Sequence, residues 1–254
     1  TGSRAPFDRY LFQVTAVGNG YGGLEHRTST SLLCSRRDLP VPGVDRLGDD
    51  YRGFLGLASH EYFHSWNVKR IRPAAFVPYD LARERYTRQL WAFEGITSYY
   101  DDLALLRSGV IDAESYLELL GRTASAVLRT PGRRVQSVAD ASFDAWIKYY
   151  RPDENTPNAG VSYYAKGALV ALALDLELRR DGSSLDALMR ELWRRHGETG
   201  VGVPEDGIAP LASALAGRDL SGFFAAFVDG TDELPLAELL GSIGVTLALR
   251  PSQG

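Results

Sequence analysis

Lysine is almost missing from this 254-residue chain: only Lys69, Lys148 and Lys166 occur, against abundant arginine. That bias points to a GC-rich bacterial source, periplasmic or cytoplasmic, and says nothing about chemistry. Cysteine is reduced to Cys34 alone, so no internal disulfide can form, and a single cysteine is more often a small buried hydrophobe than a nucleophile. Basic runs are absent, and the formal charge of −4 with a pI near 5.6 argues against a nucleic-acid or anionic-membrane surface. Long hydrophobic runs are absent too. The longest, Ala168 to Leu174, falls far short of the roughly 20 residues that cross a bilayer, so no membrane span is expected. The chain opens Thr1-Gly2-Ser3 without methionine, and a native signal peptide would lie outside it. No repeat or low-complexity tract occurs, and no pattern specifies an oligomeric state.

What is present divides into strands followed by helices. Alternation over Tyr10 to Val17 and again over Leu24 to Cys34 predicts two strands joined by the glycine-rich Gly18 to Gly23, a hairpin or a sheet edge. Prolines and glycines mark 35–50 as a loop. From Tyr51 the apolar residues recur at spacings of three and four up to the residues before Pro73, which predicts one helix. Further helices are expected from about Tyr86 to Arg107, from Asp112 as a cap to about Leu128, and over about Val161 to Arg180. Three more follow at about Leu185 to His196, Pro204 to Ala216 and Asp219 to Val228, and Ile243 to Leu249 alternates enough for a short strand. This order predicts an α+β fold: a small β portion over 1–50, an active-site helix over 51–70 and a mainly helical lobe over 71–254.

Only four histidines occur, and two fall in His60-Glu61-Tyr62-Phe63-His64. Imidazoles four residues apart on a helix lie one turn above each other, so both can reach one ion at the roughly 2.0 to 2.1 Å that zinc requires. Glu61 lies off that line and can address a bound water as general base. The competing reading is an amphipathic helix whose histidines hydrogen-bond in the core. A third ligand is available in Glu94, whose neighbours are apolar or aromatic; an unpaired carboxylate is costly to bury there, and one bound to a dication is not. Asp101, two turns further along the same helix face, is placed to accept the free N–H of a ligating histidine. Three protein ligands leave a fourth position for water, as a catalytic zinc site needs. Lowering that water's pKa from about 15.7 toward about 7 favours hydroxide by roughly 12 kcal/mol.

The segments HEYFHSWNVKRIRP, WAFEGITSYYDDL, GYGGLEHRTST and SYYAKGAL together resemble the M61 family of glycyl aminopeptidases, gluzincins related to thermolysin and the M1 aminopeptidases. The resemblance runs from about Tyr10 to the end. It implies a thermolysin-like zincin catalytic domain, one bound zinc ion, and removal of amino-terminal residues from peptides with a preference for glycine or alanine. Family members typically carry a β-rich domain ahead of this region and a PDZ domain behind it, and neither is recognisable in this chain. Gly22-Gly23-Leu24-Glu25-His26 is similar to the M1 exopeptidase motif, which implies that Glu25 binds the substrate's α-amine, although His26 stands where those enzymes have asparagine. The M1 pattern likewise implies that the Tyr164 hydroxyl donates to the oxyanion; core packing is the alternative for the Tyr163-Tyr164 pair. His196 reads as an ordinary helix terminus, and Arg70 and Arg72 as solvated charges or as partners for a substrate carboxylate. A zinc endopeptidase and a peptide-binding pseudoenzyme scaffold are the competing functions.

Overall fold

The computed structural model describes residues 5–43 and 47–250 and has the α+β character expected. Residues 11–35 carry a three-stranded sheet of β1 (Leu11–Val17), β2 (Gly22–Glu25) and β3 (Ser29–Ser35), in the order β1-β3-β2. The expected hairpin between β1 and the next strand does not form. β1 pairs in parallel with β3, from Leu11 opposite Ser29 to Val17 opposite Ser35, and the tight reversal lies inside the segment read as one strand. There His26 N–H donates to the Ser29 carbonyl at 2.8 Å, and β2 runs antiparallel to β3 with Glu25 opposite Thr30. Alternation continues on both sides of this turn, so periodicity alone does not reveal it. On β3 the period of two buries Thr30, Leu32 and Cys34 on one face, each at 1% exposure or less. Part of the predicted 35–50 loop, residues 44–46, lies outside the described residues.

Against the sheet packs α1 (Asp49–Phe63), with Asp49 and Asp50 in its first turn, where acidic side chains suit the helix dipole. Arg52, Gly56, Leu57 and Glu61 are its buried positions. The helix ends at Phe63, earlier than the periodicity predicts. Beyond it His64 caps the helix and the chain turns through Asn67, whose side-chain amide donates to the carbonyls of Ala92 and Phe93 and to the Thr97 hydroxyl. Apolar residues therefore keep a helical spacing here without a helix. They face the next helix because Asn67 pins the loop to it.

That next element starts at Leu90 rather than Tyr86, runs through a π-helical turn (Trp91–Gly95) and continues as α2 (Ile96–Arg107). α3 (Ala113–Arg129) begins where expected, with the Asp112 carboxylate accepting from Ser115 N–H at 2.8 Å. Two short helices, α4 (Val138–Phe143) and α5 (Thr156–Ala159), had no sequence forecast. The centre of the lobe is α6 (Ala165–Arg180), buried almost without interruption from Lys166 to Leu178, which fits a helix apolar on nearly all sides. Around it lie α2, α3, α7 (Leu185–Leu192), α8 (Ile208–Ala216) and α10 (Leu236–Gly241), with α9 (Ser221–Phe224) beside α8. The predicted strand at Ile243 to Leu249 is absent. Val245 and Leu247 pack on the helical core instead.

One close approach sets where α6 lies. A Cβ added to Gly95 would stand 2.5 Å from the Gly167 carbonyl carbon and 2.6 Å from its Cα, so the π-helical turn and α6 touch backbone to backbone. Substituting Gly95→Ala should force these elements apart and cost on the order of 1–3 kcal/mol. In a chain of this size that lowers the melting temperature by roughly 2–4 °C per kcal/mol. An unchanged thermal transition would contradict the contact.

Candidate active site and metal centre

α1 presents His60 and His64 from adjacent turns, with ring centroids 4.7 Å apart. The π-helical turn presents Glu94 opposite them. Widening of a helix by one residue often marks a functional position, and here it turns a carboxylate toward the two rings. Glu94 Oε2 lies 3.3 Å from His60 Nε2 and 3.2 Å from His64 Nε2. The remote nitrogens are already committed: His60 Nδ1 lies 3.1 Å from Asp101 Oδ2, and His64 Nδ1 lies 2.7 Å from the Asn67 carbonyl. The Asn67 carbonyl accepts, as does an ionised Asp101, so with both in place each Nδ1 carries the hydrogen and each Nε2 faces the Glu94 carboxylate.

Three acceptor atoms facing one another repel unless positive charge lies among them. Without an ion, protons supply it. Burial opposes a charge on His60, yet hydrogen bonds and charge from Asp101 and Glu94 push its pKa up to about 10. Burial likewise opposes ionisation of Glu94, and the His64 charge with hydrogen bonds from both rings holds it far below the usual carboxylate range. A dication would replace these protons. Tetrahedral zinc with ligands at 2.0 to 2.1 Å puts its donor atoms about 3.3 Å apart, which matches the two Nε2 to Oε2 distances. His60, His64 and Glu94 therefore fit such an ion; their ligand atoms all lie within 4.8 Å of one another.

Glu61 lies beside this cluster, only 5% exposed, with the Thr30 hydroxyl 3.5 Å from its Oε2. A Cβ at Gly23 would stand 2.1 Å from Glu61 Oε1, so a glycine on β2 makes room for the carboxylate. Burial raises its proton affinity; the adjacent Glu25 and Glu94 charges add to this, and the histidines offset part of it. These groups line one cleft of about 720 Å³ together with Tyr21, Leu24, Glu25, Trp146 and Tyr164.

Tyr163 and Tyr164 divide as one ring inward and one toward the cleft: Tyr163 is 1% exposed, and the Tyr164 ring centroid lies 6.2 Å from that of His60. Burial first, then the Glu94 charge, drives the Tyr164 pKa well above its ordinary value, so the phenol keeps its proton and remains a donor. Its hydroxyl is 3.2 Å from that of Tyr150, a cleft residue with no motif to mark it in the sequence. Glu25 reaches the cleft from the end of β2, paired at 2.9 Å with Lys69, a partner the sequence reading did not anticipate. Arg70 is neither solvated nor free for a substrate carboxylate, because its guanidinium donates to the carbonyls of Pro6, Arg27 and Ser65. Arg72 lies over the Tyr79 ring. His26 and His196 each place Nδ1 near a backbone carbonyl, of Leu24 and Val201.

Residues 53–170 match the sequence profile of the M61 glycyl aminopeptidase family. A crystal structure of an aminopeptidase N family protein from Idiomarina loihiensis superposes with a TM-score of 0.93 at 49% identity, over 95% of this chain and 42% of that one. Over residues 53–170 this chain is similar to the M61 peptidase family. It spans less than half the length of that Idiomarina protein, and no curated protein sequence matches it. The M61 match covers both histidines, Glu61, Glu94, Asp101 and Tyr164, whereas Glu25 lies ahead of it.

Asp101 fixes the orientation of His60 and makes its Nε2 more basic. Asp101→Ala should weaken divalent-metal affinity by about 10- to 100-fold, measured by competition with a chromophoric chelator. Affinity equal to that of the parent would remove Asp101 from the site.

Proposed function

We propose that this chain is the catalytic unit of a zinc-dependent aminopeptidase with a thermolysin-like arrangement. The observation that carries the proposal is the convergence of the His60 and His64 Nε2 atoms on one oxygen of Glu94, with a second buried carboxylate, Glu61, alongside. His60, His64 and Glu94 would hold the ion, which when bound polarises a water molecule and the scissile carbonyl. Every remaining role belongs to side chains of this chain.

Glu61 takes a proton from the attacking water and delivers it to the leaving amine. A carboxylate whose proton affinity is raised by burial suits that exchange better than one at the ordinary value. Tyr164, held as a donor, offers its hydroxyl to the carbonyl oxygen as negative charge builds there. Glu25 receives the substrate's α-amine. With a pKa near 7.7 to 8.0 that amine is largely cationic at neutral pH and needs an anionic partner in a cleft. A preference for glycine or alanine is proposed from the family resemblance, since members of M61 are glycyl aminopeptidases.

The endopeptidase reading has one observation in its favour: the Glu25 charge is already balanced by Lys69. Hydrolysis of amino-terminally acetylated peptides at rates comparable with free ones would favour it. The pseudoenzyme reading fits poorly with a site that keeps its base as well as all three candidate ligands.

Glu61→Gln should abolish turnover of glycyl and alanyl amides while leaving metal content at one ion per chain, checked by elemental analysis beside the assay. Retained hydrolysis would refute the general-base role. Tyr164→Phe should lower kcat by about 100-fold or more with little change in KM. Normal turnover in that variant would return Tyr164 to core packing.

A further inference from the structure

We infer that Lys69 is the resting counter-ion of the amine pocket and a specificity-determining residue, weakening the hold of Glu25 on free amines so that the released amino acid can leave. The inference rests on the aminopeptidase reading of Glu25. Lys69 Nζ lies 2.9 Å from Glu25 Oε1, and each side chain is 20% exposed. Of the other two lysines, Lys148 pairs with Asp144, and Lys166 is buried with its ammonium on the Arg133 carbonyl. Lys69 alone among them reaches the acids of the cleft.

Its setting differs from that of an ordinary surface pair. Glu25 stands among charged groups: one ligand atom each from Glu25, Glu61 and His64 lie within 4.8 Å of one another. Left bare, Glu25 would face Glu61 with no cation of its own. The Lys69 backbone is fixed just after the metal-binding helix, with its N–H donating to the His64 carbonyl at 3.0 Å, and Ile71 N–H closes the same turn on the Trp66 carbonyl at 2.8 Å. The backbone is thus held while four methylenes let the ammonium move. Glu25 lines the cleft and Lys69 approaches it from the α1 side, so a substrate ammonium must share the carboxylate with Lys69 or displace it.

Two ammonium groups on one carboxylate lie roughly 4–5 Å apart, inside the Debye length, and repel. Each free-amine ligand therefore binds less tightly than a bare Glu25 would allow. This applies equally to the peptide substrate and to the amino acid released, which keeps the same α-amine. A hydrolase whose product carries the group recognised in the substrate gains turnover when that group is not held too firmly. Solvent exposure moderates the effect, which we place at about tenfold.

The test is calorimetric binding of glycyl-phenylalaninamide and its N-acetyl form to zinc-loaded Glu61→Gln protein, which binds without turning over. Adding Lys69→Met should tighten the free-amine ligand by about tenfold and leave the acetylated one unchanged, while Lys69→Arg should behave as the parent. Unchanged or weaker binding of the free-amine ligand in Lys69→Met, at the parent's melting temperature, would overturn the inference. If Lys69→Met lowers that temperature, Lys69→Gln is read by the same criteria. Adding Glu25→Gln instead tests the underlying reading separately: free-amine binding that survives its loss removes Glu25 as the amine partner, whatever Lys69 does.

Discussion

The Nε2 atoms of His60 and His64 lie 3.3 and 3.2 Å from one oxygen of Glu94, an arrangement that is repulsive unless a proton or a metal cation lies among the three atoms. The rest of the site exists to enforce it. Asp101 and the Asn67 carbonyl occupy the outer nitrogens, so neither ring can relieve the repulsion by switching tautomer. The helices that carry these groups are locked by the Asn67 side chain and by the contact of Gly95 with Gly167. That second contact also sets α6, which Tyr164 precedes, against the π-helical turn that carries Glu94. Small residues at the helix crossing and polar groups in the metal cluster are thus parts of one geometric solution.

Charge in the cleft follows from the same constraint. Glu94, Glu61, Glu25 and Asp101 line one cleft, with His60, His64 and Lys69 as the basic groups beside them. Burial of Glu61 favours its protonated form, a property that suits the proposed general base. Glu25 is paired with Lys69, as the proposed exchange of one ammonium for another requires. In the proposed mechanism two neighbouring carboxylates take different tasks from different partners, much as environment separates acid from base in other hydrolases.

Much of the candidate metal site was legible in the sequence because spacing on a helix is itself geometry: His60, His64 and Asp101 are placed by helical period, and Glu94 was marked by its apolar surroundings. The α+β order and the cap at Asp112 were equally readable. Other features depend on contacts remote in sequence. Nothing in the alternation from Leu24 to Cys34 discloses a turn at His26, or that β1 pairs in parallel across a strand that follows it. Helical spacing continues past Phe63 because the loop packs against α2, so the period outlasts the helix. Tyr150 and Lys69 carried no motif as partners of Tyr164 and Glu25; their roles arise only when α6, the loop after α4 and the end of β2 meet at one cleft.

Zinc K-edge absorption spectroscopy on the reconstituted chain tests the central claim most directly. The account predicts one equivalent of zinc with two imidazole nitrogens and two oxygens, one from Glu94 and one from water, at about 2.0–2.2 Å. A shell containing sulfur, a shell of oxygen alone, or substoichiometric zinc after reconstitution would contradict it.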